Sequence, residues 1–138
     1  MTPARSAAGH LAALWIGPDQ WLVSFRRDRS SEAEQALVSA CSQNAAMVEV
    51  GDGRAVLRVS GPKARDVLAK GVPIDLHPSV FQPGRAASTV AAMIDIHLAQ
   101  INDEPTYEIV LFRSLAGSFW HWLEGSAAEF GLEIAEPI

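Results

Sequence analysis

The sequence contains one cysteine, Cys41, in 138 residues. An internal disulfide is therefore excluded, and the lone thiol suits a reducing cytoplasm. Cys41 lies in an Ala-rich stretch and reads as a small packing residue, not a nucleophile. Positive charge is also scarce: 11 Lys and Arg stand against 16 Asp and Glu, a net charge of −5. That balance argues against a nucleic-acid coat or an anionic membrane surface. The one basic cluster, Arg26, Arg27 and Arg29, is diluted by Asp28 and reads as a solvated loop. No apolar run reaches the ~20 residues of a membrane span. The opening "MTPARSAAGH" lacks the apolar core of a secretory signal. A soluble, cytoplasmic protein is expected.

Catalytic and phosphate-binding signatures are missing too. There is no G-x-G-x-x-G, P-loop, C-x-x-C, H-E-x-x-H or G-x-S-x-G. Gly51-Asp52-Gly53 sits between two strand-like runs, so it lacks the helix N-terminus that a phosphate loop needs. It reads as a turn.

What is present is a chain able to build a core, with 49% hydrophobic and 20% charged residues. Residues 1–10 read as a flexible tail and 11–138 as one domain. Residues 11–25 form two short strands around Gly17-Pro18-Asp19, with Trp21, Val23 and Phe25 on one side. Ser31 and Glu34 have capping-box spacing and open a helix striped by Ala36, Leu37, Ala40 and Cys41. Residues 46–61 read as a hairpin about Gly51-Asp52-Gly53, with Ala55, Leu57 and Val59 on one face. Pro62 starts a second helix, buried through Ala64, Val67 and Leu68, and Gly71 follows its end. A Pro- and Gly-rich loop leads to one long extended segment over 89–98. Asn102-Asp103 then turns the chain into "TYEIVLF". Ser114 caps a last helix with a stripe of Leu115, Phe119, Trp122, Leu123, Ser126, Ala127 and Phe130, and Gly131 ends it. The fold class is α+β: an antiparallel sheet of hairpins with helices packed on one face.

The chemistry-bearing residues are few. Asp75 and His77 lie two apart in the loop "GVPIDLHPSVFQPG", and Asp95 and His97 repeat the spacing on a strand. Carboxylate-oriented imidazoles catalyse reactions and bind metals. A zinc site needs three or four ligands, so the two pairs would have to converge. Otherwise His77 fixes a loop and His97 is a polar strand residue. His10 falls in the tail, and His121 opposite the stripe of the last helix, facing solvent.

Several uncommon words occur together: Leu14-Trp15-x-Gly17-Pro18-Asp19-x-Trp21-Leu22, Ser60-Gly61-Pro62, Asp75-Leu76-His77-Pro78, Pro83-Gly84, Arg113-Ser114 and Trp120-x-Trp122-Leu123. Over residues 13–130 the chain resembles the gamma subunit of heterotetrameric sarcosine oxidase, a family related in fold to the folate-binding aminomethyltransferases. The resemblance implies a non-catalytic subunit with no cofactor of its own. Its complex oxidatively demethylates sarcosine, giving glycine, hydrogen peroxide, and formaldehyde or methylene-tetrahydrofolate. FAD, FMN, NAD and tetrahydrofolate are then expected on the partner alpha, beta and delta subunits. Asp75, His77, Pro78, Pro83 and Gly84 become a structural signature loop, with Asp75 accepting backbone N–H bonds. Two departures stand out. Family members carry a longer segment ahead of the Leu-Trp hairpin, and the aminomethyltransferases' Asn-x-x-Gly-Gly turn is absent between Ala87 and Asp95. A stand-alone folate or one-carbon module, anchored by Asp95, and a small metal-dependent enzyme using Asp75, His77, Asp95 and His97 remain the alternatives. On the last helix Trp122 falls in the core stripe and Trp120 about 90° from its centre. Trp120 is therefore the candidate interface, toward a larger subunit or a second copy. The short N-terminus is expected to leave a strand edge open to pairing.

Overall fold

Period-two alternation is realised most fully in the strand Arg54–Ser60, where Leu57 and Val59 turn inward while Val56 and Arg58 turn out. In the computed structural model, which describes residues 4–136, this strand (β4) belongs to a four-stranded antiparallel sheet. Its other members are β5 (Ala86–Ala91), β6 (Ile94–Asn102) and β7 (Thr106–Phe112), in the order β4-β7-β6-β5. A smaller antiparallel sheet holds β1 (Arg5–Ala8), β2 (Leu11–Gly17) and β3 (Gln20–Phe25). The helices are α1 (Ser30–Cys41), α2 (Ala64–Ala69) and α3 (Ala116–Ala127). The architecture is α+β, as the sequence predicts.

One face of the large sheet is sealed by α2, α3 and the loop between α2 and β5. Ala64, Val67 and Leu68 of α2 and Phe119, Leu123 and Ala127 of α3 are buried there against Ile96, Leu98, Tyr107, Ile109 and Leu111. Leu76 and Phe81 of the loop join them, Phe81 stacked on Tyr107 at 6.4 Å between ring centroids. The small sheet packs on the opposite face, β2 against β5 and β1 against β6. A second buried cluster forms there from Leu14, Ala86, Ala99 and Val110.

Five local expectations are corrected. Residues 5–8, placed in a flexible tail, form β1: Arg5 N–H donates to Gly84 O at 2.8 Å, and β1 pairs with β2 over its full length. Residues 89–98 are not one extended segment. Ala92 and Met93, at φ 49° and 69°, reverse the chain as a two-residue turn between β5 and β6. Neither residue favours this left-handed backbone, so no turn signal is visible. Tertiary pairing imposes it, and Ala92 N–H is held by Gly71 O at 3.1 Å. The hairpin over 46–61 loses its first arm. Residues 46–50 form no strand, a 3-10 turn occupies Gly51–Gly53, and β4 pairs with β7 instead. The proposed caps are displaced as well. A 3-10 turn over Arg27–Arg29 precedes α1, so Ser31 lies inside the helix, and Ser114 lies in a similar turn before Ala116. Likewise α2 begins at Ala64, not Pro62. The α1 stripe is Ala33, Leu37 and Cys41, while Ala36 and Ala40 are exposed.

Candidate functional site

The loop 71–84 is shaped largely by its own bonds. Asp75 Oδ1 accepts the His77 backbone N–H at 2.8 Å, an Asx turn. His77 O accepts the N–H groups of Val80 and Phe81 at 2.8 and 2.9 Å. The His77 ring faces back into the loop: Ser79 N–H donates to Nδ1 at 3.2 Å, with Ser79 Oγ 2.7 Å from the same nitrogen. Nδ1 is therefore an acceptor, and the ring proton sits on Nε2. Asp75, His77, Pro78 and Pro83 are exposed, while Leu76 and Phe81 anchor the loop in the core. Gly84, at φ 84°, closes it by donating to Gln100 O at 2.9 Å.

The second Asp-x-His pair lies elsewhere. Asp95 and His97 line an open cleft of about 480 Å³ between the two sheets, together with Ile16, Gln20, Arg54, Ser88 and Phe112. His97 Nδ1 is 2.9 Å from Ser88 Oγ, and Ser88 Oγ donates to Ile16 O at 2.9 Å. The hydroxyl proton is spent on the carbonyl, so Ser88 accepts from His97 Nδ1–H. An imidazole so placed cannot withdraw the serine proton, and the pair is a tie between sheets, not an activated nucleophile. Burial pushes the His97 pKa below its ordinary value, the Arg54 charge pushes the same way, and Asp95 opposes both. Arg54 itself lies over the Phe112 ring, 3.9 Å from its centroid. Among the described residues, no three His, Cys, Asp or Glu side chains gather to hold a metal ion. Asp75 and His77 are not in the cleft with Asp95 and His97. The convergence required for a metal enzyme is not formed.

A buried charge cluster ties the sheets a second time. Glu108 of β7 takes Arg5 Nε at 3.1 Å and Arg58 Nη2 at 3.2 Å. Arg5 reaches it from β1, across the intersheet gap, and Arg58 is its direct neighbour on β4. Two guanidinium groups on one carboxylate satisfy an anion that could not otherwise be buried.

The family model described as "Sarcosine oxidase, gamma subunit family" matches residues 2–129. This chain belongs to that family. It is 35% identical over 128 residues to the sarcosine oxidase subunit gamma of Corynebacterium sp. (strain P-1), covering 92% of this chain and 60% of the relative. It is 32% identical over 126 residues to that of an Arthrobacter species, covering 90% and 60%. The chain thus spans about 60% of the length of the curated relatives it matches. Among solved structures, it superposes on a chain of the heterotetrameric sarcosine oxidase from Corynebacterium sp. U-96, in complex with pyrrole 2-carboxylate. The TM-score is 0.83 at 29% identity, over 98% of this chain and 69% of that one.

The family words fall on distinct structural tasks in this gamma-family chain. Trp122 tilts against Phe119 at 5.5 Å and covers Gly71, where an added Cβ would meet the Trp122 ring at 2.4 Å. Trp120 is half-buried against the same core, and Trp21 is the most exposed of the four tryptophans. Sequence reasoning missed Arg54, Ser88 and Phe112 in the cleft and the Arg5–Glu108–Arg58 cluster. Their signal is register: Ser88 meets His97, and Arg54 meets Phe112, only once the turn at Ala92-Met93 and the β4–β7 pairing are known.

Proposed function

We propose that this chain is a non-catalytic gamma subunit of a heterotetrameric sarcosine oxidase-type complex. The complex would demethylate sarcosine oxidatively to glycine, with hydrogen peroxide and either formaldehyde or methylene-tetrahydrofolate as the other products. The observation that carries this reading is the superposition over 98% of the chain, at a TM-score of 0.83, on a chain of such an oxidase. Two local features support it. The Ser88–His97 contact is spent between sheets, and the Asp75–His77 loop, with its Ser79–His77 contact, bonds mainly to itself. FAD, FMN, NAD and tetrahydrofolate would sit on the alpha, beta and delta subunits, in the cytoplasm. The loop Asp75, His77, Pro78, Pro83 and Gly84 would hold the helix-to-sheet connection, and Trp120 would meet a larger subunit or, in the isolated chain, a second copy.

Co-expression with the alpha, beta and delta subunits, followed by size-exclusion chromatography, tests this. One chain of each kind should co-elute. The gamma-family chain alone should be colourless and inactive on sarcosine; a yellow, active preparation of the isolated chain overturns the reading. Trp120→Ala should weaken association by about 2 kcal/mol or more, with less effect on folding. Unchanged affinity removes Trp120 from the interface.

A further inference from the structure

The small sheet covers only part of the large sheet's second face. It packs over β5, β6 and the middle of β7, where Val110 is buried with Leu14 and Glu108 bonds Arg5, whereas among the described residues β4 and the exposed Phe112 end of β7 lie beyond its main packing. Three side chains share the uncovered part. Arg54 and Phe112 are direct cross-strand partners, and Val56 follows Arg54 on the same face. Phe112 is 48% and Val56 56% exposed, an apolar pair beside a cation. Among the described residues the outer edge of β4 is unpaired, because β4 lies at the end of the sheet.

Arg54 is unusual among the cations of this acidic chain. Arg5, Arg26, Arg29, Arg58, Lys63 and Lys70 each have a carboxylate partner. Arg27, Arg85 and Arg113 are exposed to water. Arg65, half-buried, lies over the Tyr107 ring at 6.0 Å on the helix-covered face. Arg54 is half-buried in the open cleft, fixed on Phe112, and in no ion pair among the described residues. A guanidinium immobilised by stacking has lost rotamer freedom before any anion arrives. Asp95 lines the same cleft without reaching it, and would steer an incoming acid toward the Arg54–Phe112 end.

We infer that this open end of the cleft takes a carboxylate-bearing segment of a larger oxidase subunit. One Asp or Glu side chain pairs with Arg54, and a neighbouring apolar side chain covers Phe112 and Val56. The inference rests on the function proposed above and names the contact chemistry. Charge complementarity identifies the occupant: the patch supplies one uncompensated cation and an apolar shelf, and lacks only the acid.

The test measures binding of the purified chain to the alpha–beta–delta assembly, with Arg54→Gln, Arg54→Glu and Val56→Ser beside the unaltered protein. Thermal melts confirm that each variant is folded. Arg54→Gln should raise Kd about thirty-fold or more, with Arg54→Glu weaker still. The salt dependence of binding should flatten in Arg54→Gln. Val56→Ser, which leaves the stacked pair alone, should raise Kd by a smaller factor. If the unaltered chain binds and the Arg54 variants bind equally well, the docking inference fails while the functional reading survives. If the unaltered chain does not bind, both fail. Arg54-dependent dimers in sedimentation, or sub-millimolar acetate binding to the isolated chain, would assign the patch to another occupant and overturn the inference.

Discussion

The two faces of the four-stranded sheet are built on different terms. The face under α2 and α3 buries fifteen hydrophobic residues in one cluster, whereas the face under the small sheet buries four. The second face makes up the difference with polar ties: Arg5–Glu108–Arg58, Ser88 between His97 and Ile16, and backbone bonds around Gly84 and Arg85. Apolar burial is non-directional and scales with area. Buried ion pairs and hydrogen bonds add little net stability but are costly to break by halves. The helix-covered face therefore supplies stability, and the sheet-covered face fixes geometry while leaving part of its surface uncovered.

The sharpest way to break this contrast is to truncate one large side chain on the helix-covered face. Phe119→Ala removes a fully buried ring that supports Trp122 and should cost about 4 kcal/mol, read by chemical denaturation. Next comes Glu108→Ala on the other face, which strands Arg5 and Arg58 together. Breaking a buried pair by halves costs ~3–5 kcal/mol. Arg58 is 44% exposed and can turn to water, so about 3 kcal/mol is expected. If Glu108→Ala proves as stable as the parent, the polar ties contribute nothing and the two faces are not distinct in kind.

Gly71 sharpens the comparison from the helix side. An added Cβ there would lie 2.4 Å from Trp122 Cζ2 and 3.1 Å from the Ala92 nitrogen. The ring must shift, with backbone behind it, so Gly71→Ala should cost ~1–3 kcal/mol by overpacking. A melting temperature equal to the parent's would mean that Trp122 moves freely. Asp75→Ala ranks lower. Asp75 and His77 are exposed, so the Asx-turn bond is worth about 1 kcal/mol, and complex content rather than turnover should respond. A hundredfold fall in kcat at unchanged complex content would contradict this.

The helix-covered face was the legible one. Ala64, Val67, Leu68, Phe119 and Leu123 declare themselves by helical spacing, because a helix with one dry side must repeat apolar residues every three or four positions. Leu57 and Val59 do the same at a period of two. The sheet-covered face was nearly silent. Arg5, Arg54, Ser88 and Glu108 are ordinary polar residues until pairing brings them together from β1, β4, β5 and β7. For Ser88 that pairing hangs on a left-handed turn at Ala92-Met93, which no local preference announces. The same gap explains the misplaced hairpin: "AMVEV" has strand-like composition, but β4 takes its partner from β7, fifty residues away in Glu108's case.

The smallest expected effect is a dependence on acidic pH, and it belongs to the sheet-covered face. His97 is held below its ordinary pKa of 6.5 by burial first and by Arg54 second, with Asp95 opposing. Ser88 from β5 and the Ile16 carbonyl from β2 complete its surroundings. A histidine whose folded value is depressed binds its proton more readily in the unfolded chain. Above 6.5 both states are neutral there and the contribution to stability is complete. As pH falls below 6.5 the unfolded state gains protons first, and stability declines until the folded value is passed. Melting temperatures of the parent and of His97→Gln, followed from pH 8 down to pH 5, isolate this one group, since the other titrating residues are common to both. The parent should lose more melting temperature than the variant over the acidic half of that range. Parallel curves would mean that His97 is no better solvated in the unfolded chain than in the cleft, and that the Ser88 link between the sheets places no demand on its charge.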